Sequence, residues 1–249
     1  MLHLGVITLL PEMFSCLRQG VTGRAIERRL ASLKLWNPRD YADRPYRQVD
    51  DKPYGGGPGM VMRYEPLHQA IQAAHHAMPL SCKTIYLSPQ GRRIQQADLN
   101  TLLGQKQPLL FIAGRYEGVD ERIITHHVDE EWSLCDFVLS GGELAAMVFI
   151  DALLRLLPGC LGSSASAVQD SFMNGLLDCP HYTRPAVVEG IAVPDVLLHG
   201  NHRDITRWRR KQSLGMTWLK RPDLLEKLIL DDSDTQLLVE FKGEHSRTV

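Results

Sequence analysis

Asp170-Ser171-Phe172 and the run Gly175-Leu176-Leu177-Asp178-Cys179-Pro180-His181-Tyr182-Thr183-Arg184-Pro185 put two carboxylates, an imidazole and a guanidinium within fifteen residues. Carboxylates and imidazoles move protons near neutral pH, and a guanidinium steadies the negative charge that such transfers create. The segment is too polar and too rich in Pro and Gly to be a core element. It follows Gly159-Cys160-Leu161-Gly162-Ser163-Ser164-Ala165-Ser166-Ala167, which reads as a flexible linker. A hinge-like joint thus leads straight into an acid-bearing loop, the kind of place where chemistry concentrates. Taken singly, Asp170 could equally cap the start of a following helix, and Arg155 could complement a helix dipole at its carboxyl end.

The elements that must hold this loop alternate along the chain. Residues 2–10 read as a buried strand, and Pro11 opens a helix with Glu12 in its first turn. A second, amphipathic helix is predicted over residues 22–34, with Ala25, Ile26, Leu30 and Leu33 toward the core. Residues 36–62 read as irregular. Helices over about 65–77, 95–104, 120–126 and 144–157 are then interleaved with strands at 84–87, 109–112 and 137–139. That alternation predicts α/β architecture, a parallel sheet covered by helices on both faces. Glycine-bearing loops at 88–91, 113–118 and 140–143 follow the three strands. Ligands bind at such carboxyl ends in open α/β sheets, and glycine lets backbone approach them closely. Beyond the linker, residues 203–218, 222–230 and 232–242 read as helices of a smaller domain, with Trp208 in its core. The expected boundaries are 1–160 for the α/β domain, 161–171 for the linker and 172–249 for the helical domain.

Composition narrows the class. With 249 residues, 44% hydrophobic and 23% charged, the chain can bury a sizeable core. No apolar run reaches the length of a membrane span, and the N-terminus reads as a strand rather than a signal peptide. Five scattered cysteines without a Cys-x-x-Cys pair point to a reducing cytoplasm and away from a disulfide framework or zinc knuckle. His75-His76 and His126-His127 read as solvated surface pairs, and no metal site is predicted from them. The net charge of −1 hides a segregation. Between Asn201 and Pro222 seven basic residues face one acid, Asp204, and between Arg18 and Lys52 nine face five. Local patches of this kind attract phosphate, although solvated helix faces would look the same. The chain lacks the dinucleotide Gly-x-Gly-x-x-Gly after its first strand, the P-loop spacing and the Gly-x-Ser-x-Gly elbow. Its ligand loops offer backbone and small side chains, which fits an adenosine-type cofactor without a polyphosphate.

Asp50-Asp51-Lys52-Pro53-Tyr54-Gly55-Gly56-Gly57-Pro58-Gly59-Met60, Tyr86-Leu87-Ser88-Pro89-Gln90-Gly91 and Gly114-Arg115-Tyr116-Glu117-Gly118 resemble motifs of the bacterial tRNA (guanine-N1)-methyltransferase family. So do Ser140-Gly141-Gly142-Glu143-Leu144, Asp170-Ser171-Phe172, the run from Leu177 to Pro185, and Gly200-Asn201-His202. The resemblance spans about residues 4–245, and the order of the motifs makes it specific.

The resemblance implies a SPOUT-class α/β domain with a deep C-terminal trefoil knot, plus a small, mostly helical tRNA-binding domain. S-adenosylmethionine would be lined by Tyr86, Leu87, Ser88, Pro89, Gly114, Tyr116, Glu117, Ser133, Leu134, Cys135, Asp136, Phe137, Val138, Leu139, Gly141 and Gly142. Methyl transfer would go to N1 of the tRNA guanosine at position 37 when guanosine also stands at position 36, with help from Mg2+. An obligate homodimer with shared active sites is implied. Asp170 would be the base and Arg155 the cation stabilising O6. Asp51, Tyr54, Gly59, Asp178, His181, Arg184, Asn201, Arg207, Arg209 and Arg210 would contact or support the substrate. The chain departs from the pattern at Ser133-Leu134-Cys135-Asp136-Phe137, where the family usually shows Ser-Ile-Gly-Asp-Tyr, so weaker cofactor affinity is expected. Lys52 for the usual arginine gives up bidentate contacts. A knotted methyltransferase for another base or a ribose, and a non-catalytic RNA-binding module, are the alternatives.

Overall fold

The computed structural model describes residues 1–79, 81–162 and 164–248. They fall into two compact units, Met1–Ser164 and Ala165–Val249. In the first unit, strands β1 (Leu2–Ile7), β2 (Ala31–Trp36), β3 (Asp50–Asp51), β4 (Val61–Met62), β5 (Lys83–Arg93), β6 (Leu109–Ala113) and β7 (Glu130–Ser133) are interleaved with five α-helices. These helices are α1 (Gly20–Glu27), α2 (Tyr64–Ala77), α3 (Gln96–Gln105), α4 (Glu121–His127) and α5 (Glu143–Leu154). Five strands form one parallel sheet in the order β2-β1-β6-β5-β7, while β3 and β4 make a separate antiparallel pair. The mixed α/β architecture with a parallel central sheet agrees with the sequence.

Both faces of the sheet are covered, and β6 shows why. Every residue of Leu109-Leu110-Phe111-Ile112-Ala113 is buried. Successive side chains point to opposite faces. Leu109, Phe111 and Ala113 join a core with Leu99 of α3 and Phe149 and Leu153 of α5. Leu110 and Ile112 join the opposite core with Leu67 and Ile71 of α2 and Ile123 of α4. Burying each such side chain contributes about 1.5–3 kcal/mol relative to exposing it.

Two sequence expectations are overturned here. The helix predicted over residues 22–34 ends at Glu27; Arg29 takes a left-handed φ of 57°, and Ala31–Trp36 runs parallel beside β1. Leu33 and Leu35 alternate with Ser32 and Lys34, so the period is two and belongs to an edge strand. The strand expected at residues 137–139 is absent. The fifth strand of the sheet is Glu130–Ser133, while Phe137 is 56% exposed and Val138 82%. Charge disguised the true strand: Lys83 Nζ and Trp132 Nε1 both donate to the Glu130 carboxylate, at 2.7 and 2.8 Å, so an acidic residue fits beside a buried tryptophan.

In the second unit, α6 (Ser164–Gln169) occupies part of the Gly/Ser-rich stretch and leads to Asp170. A two-stranded hairpin, β8 (Val187–Val188) and β9 (Ile191–Ala192), precedes α7 (His202–Lys220), α8 (Pro222–Leu225) and α9 (Asp232–Thr248). Leu176, Leu214 and Leu237 centre a small core. Trp208, expected in that core, is instead half-buried against Tyr182, with ring centroids 6.3 Å apart.

Candidate active site

A cavity of about 430 Å3 opens at the carboxyl ends of β5, β6 and β7, which are neighbours in the sheet. Strand β5 supplies its first wall by leaving regular pairing. Trp132 of β7 stands opposite both Leu87 and Arg92, so Ser88 to Gly91 arch outward between them. A Cβ on Gly91 would lie 2.5 Å from the Trp132 backbone nitrogen, so no larger residue fits beneath the arch.

The loops after β6 and β7 are stitched together. Gly142 donates its N–H to the carbonyl of Gly114 at 2.9 Å, and a Cβ there would sit 2.7 Å from Cα of Ala113. Beneath this contact Glu143 is fully buried. Its carboxylate accepts the Thr8 hydroxyl at 3.0 Å and the Arg115 Nε–H at 3.1 Å, linking the end of β1 and both loops through one anion. Its place in the first turn of α5 also sets it against the positive end of the helix dipole. The loop after β6 is also braced from behind by a segment read as irregular: Glu117 donates its N–H to Met60, and Met62 donates to Gly118, both at 2.9 Å. This draws β4 against the loop. Gly59 lies close enough that a Cβ would meet the Glu117 carboxylate at 2.4 Å.

All the residues expected to line a cofactor border this cavity except Asp136, whose carboxylate faces solvent and pairs with Arg93 at 3.1 Å. Gln90 and Arg115 of the ligand loops line it too, as do Glu121, Glu131 and Trp132, none of which was among the residues expected to contact a cofactor. Cys135, expected from the resemblance to stand where glycine is usual, is outside the left-handed residues, so its side chain introduces no strain of that kind.

The electrostatics of the cavity are those of a site for a cation. Glu117, Glu121 and Glu131 line it, and among the described residues its sole basic side chain, Arg115, is engaged by Glu143. Burial, and next the negative charge of Glu131, push the Tyr86 hydroxyl above its usual range, so it stays a neutral phenol. Such walls suit an adenosine bearing a positive centre and repel polyphosphate. A larger cavity, about 800 Å3, lies between Pro11, Phe14, Ile26, Leu33 and Leu35, away from the loops that follow β5, β6 and β7. Glu12, Arg18 and Glu27 also line it, with no charge of one sign prevailing in the way the three glutamates do in the first cavity.

Of the other expected site residues in this unit, Asp51 is exposed on β3 and Tyr54 is fully exposed. Arg155 caps the carboxyl end of α5, donating its backbone N–H to Asp151. Two of the paired histidines depart from a purely solvated surface: His75 Nε2 meets the Thr84 hydroxyl at 2.8 Å, and His127 Nε2 meets the Tyr64 hydroxyl at 3.1 Å. Burial is the largest cause of the lowered pKa of His127.

The second unit holds the acid-bearing loop. The Asp170 carbonyl accepts from Met173, Phe172 turns through a left-handed φ of 73°, and its N–H reaches Leu176 at 2.7 Å. The Asp178 N–H donates to the Ser171 hydroxyl and the Leu177 N–H to Thr217 of α7, each at 2.9 Å. These bonds fix the backbone from which the Asp178 side chain projects. Burial pushes its carboxyl up, but hydrogen bonds from His181 and the Cys179 N–H outweigh that and hold it below the usual carboxylate range. The His181–Asp178 distance is 2.8 Å. Burial instead raises the Cys179 thiol, and Cys82 is pushed up to about 12, so neither is a ready thiolate.

The basic helix α7 behaves differently from its sequence. Arg207 pairs with Glu240 at 2.7 Å, Arg210 Nε with Asp234 at 2.8 Å, and Lys211 with Glu244 at 2.6 Å, all on α9. Arg209 is exposed and has no ion pair among the described residues. Asn201 caps α7 by accepting from the Arg203 N–H at 3.1 Å, and Arg184 is exposed.

Comparison with known proteins identifies the relatives of the chain. A profile of the family described as "tRNA (Guanine-1)-methyltransferase TrmD" matches residues 2–227. A tRNA (guanine-N(1)-)-methyltransferase of Legionella pneumophila (strain Lens) is 71% identical over 244 residues, covering 98% of each chain. Its namesake in Nitrosococcus oceani is 60% identical over 245 residues, covering 98% of this chain and 97% of the relative. That of Salmonella newport (strain SL254) is 56% identical over 247 residues, covering 99% and 96%.

Proposed function

Because the chain belongs to the tRNA (guanine-1)-methyltransferase TrmD family, we propose that it methylates N1 of guanosine 37 in tRNAs that also carry guanosine 36, with S-adenosylmethionine as donor. The observation that carries this reading is the acidic, backbone-lined cavity at the ends of β5, β6 and β7. When bound there, the donor supplies a methyl group made electrophilic by its sulfonium. Tyr86 to Pro89, Gly114 to Glu117 and the loop from Ser133 to Gly142 would read adenosine through backbone N–H and C=O groups. Glu117, Glu121 and Glu131 would favour the positive sulfur over the neutral product. Loss of that attraction after transfer would assist release.

Guanine N1 carries a proton and is a poor nucleophile until it leaves. In our reading the Asp170 carboxylate accepts that proton, and the Arg155 guanidinium stabilises the negative charge gathering on O6. General-base assistance is worth roughly 10²–10⁴-fold in rate, and a charge-stabilising donor about 10²–10³-fold. Asp178, held ionised, and His181 would orient the base or the guanine. Residues 1–160 would be the cofactor domain, with the SPOUT knot formed by the stitched loops, and residues 172–249 the tRNA-binding domain joined to it by 161–171. Two protomers would share each active site, one offering the cavity and its partner the Asp170 loop. Mg2+ would find carboxylate oxygens of Glu117 or Glu131, the hard donors it prefers, and no step here runs through it. Among the described residues, no helix is long and apolar enough to cross a membrane. A tRNA substrate and five scattered cysteines without a Cys-x-x-Cys pair would suit the cytoplasm.

Product analysis tests the reading. Incubation with the donor and unmodified tRNA, followed by digestion to nucleosides, should yield 1-methylguanosine. A ribose-methylated nucleoside or a different methylated base would replace the proposal with another RNA methyltransferase activity.

A further inference from the structure

Asp178, Cys179 and His181 bring a carboxylate oxygen, a thiol sulfur and an imidazole nitrogen within 4.8 Å of one another. We propose that this trio binds one thiophilic divalent cation of the zinc class, and that occupancy withdraws Asp178 and His181 from the tRNA side of the reaction. The second half rests on the function proposed above; the first does not.

The donor set selects the metal. A thiolate and an imidazole are poor ligands for Mg2+ or Ca2+ but suit Zn2+, which accepts sulfur, nitrogen and carboxylate oxygen together. Three protein ligands would leave the fourth tetrahedral position open to water. The backbone is already ordered for the task. The Asp178 N–H is tied to Ser171 and the Leu177 N–H to Thr217, and Pro180 restricts the turn between Cys179 and His181. Zinc bonds of roughly 2.0–2.3 Å put neighbouring ligand atoms about 3.3–3.8 Å apart, so the widest separation must close by at most on the order of 1 Å while the 2.8 Å His181–Asp178 pair opens slightly. His181 can supply that movement, because its side chain is 72% exposed, whereas Cys179 is buried.

Protons now occupy the place of the metal. His181 Nε2 meets the Asp178 carboxylate at 2.8 Å, and the Cys179 backbone N–H donates to the same carboxylate at 2.7 Å. On binding, the S–H bond breaks, its proton goes to solvent, and a metal–sulfur bond forms; no electron is transferred. Against an ionised carboxylate Nε2 carries the proton, so on binding that proton moves to Nδ1 or to solvent and the freed Nε2 lone pair takes the metal.

The test uses the full-length chain, stripped with a chelator and titrated with Co2+ as a spectroscopic stand-in for zinc. One equivalent per chain should produce a thiolate-to-cobalt charge-transfer band, which Zn2+ then bleaches. Cys179→Ser should abolish the band. His181→Ala, at an exposed position that does not threaten folding, should weaken binding by at least the roughly 10–100-fold that losing even an outer-shell partner costs. Cys16→Ser removes an exposed thiol outside the trio and should leave the band intact. A wild-type chain without the band, or a band surviving in Cys179→Ser, would overturn the site. Zinc should also slow methyl transfer by the wild type, with recovery on chelation. Binding at the trio with an unchanged rate would overturn the substrate half alone. Absence of transfer by the zinc-free chain resupplied with Mg2+ would instead count against the proposed function.

Discussion

The cavity at the ends of β5, β6 and β7 and the charged face of α7 reach opposite outcomes from similar-looking sequence signals. At the cavity, glycine-bearing loops place backbone where a ligand can be read, and nearly every residue expected from the family motifs lines it. On α7, three of the basic residues are spent on carboxylates of α9 and hold two helices together. Backbone approach leaves a local mark in sequence, because only glycine fits where a Cβ would collide. The partner of a surface charge leaves none, since it lies 24 to 33 residues away. A cluster of arginines is therefore a weaker guide to a nucleic-acid surface than a set of strand-end glycines is to a ligand site.

The sharpest break between the regions is at Asp170. Asp170→Ala should lower the rate of transfer by about 10²–10⁴-fold while leaving donor affinity, measured by calorimetry, nearly unchanged. A variant that keeps most of its rate would remove Asp170 from the role of base.

Next in size is the anion beneath the cavity. Glu143→Ala strands the half-buried Arg115 and the Thr8 hydroxyl, and removing one partner of a buried pair costs about 3–5 kcal/mol. A lower midpoint in chemical denaturation, with weakened donor binding, is expected. An unchanged midpoint would show that the loops are held by backbone alone. Gly142→Ala should be milder for stability yet specific for the donor, because a Cβ 2.7 Å from Ala113 must push one loop aside. Calorimetry should report weaker donor binding, with tRNA affinity intact.

The smallest effects sharpen the other side of the comparison. Arg209→Gln should lower the salt slope of tRNA binding by about one phosphate contact while leaving stability unchanged. Arg210→Gln should do the reverse, lowering the melting temperature because Asp234 is left largely buried without its partner. Equal salt slopes for both variants would mean that Arg210 trades Asp234 for phosphate.

Much of the first unit was legible. Helices α2 to α5 and strands β5 and β6 follow from periodicity and from their Gly and Pro boundaries, because local pattern and burial agree there. What failed has physical causes. Edge strand β2 exposes one side, and its Leu33 and Leu35 fit a helical stripe as well as an alternation. Strand β7 carries two glutamates: Glu130 is held by Lys83 of β5 and by Trp132 of the strand itself, while Glu131 lines the cavity. Asp136 sits within the right motif yet turns to Arg93, a choice of rotamer and loop path that no short-range signal encodes. The convergence of Asp178, Cys179 and His181 depends on ties to Ser171 and Thr217, the latter 40 residues away. Identity of the site residues came from motif order; their arrangement came from contacts between segments distant in the chain.

The most direct test of the account is methyl transfer from labelled S-adenosylmethionine to an unmodified tRNA carrying guanosines at positions 36 and 37, with matched transcripts altered at each position. The account predicts 1-methylguanosine from the first transcript, none when position 37 is changed, and a sharply reduced yield when position 36 is changed. Equal labelling of all three transcripts would contradict it, since the acceptor would then lie elsewhere in the RNA.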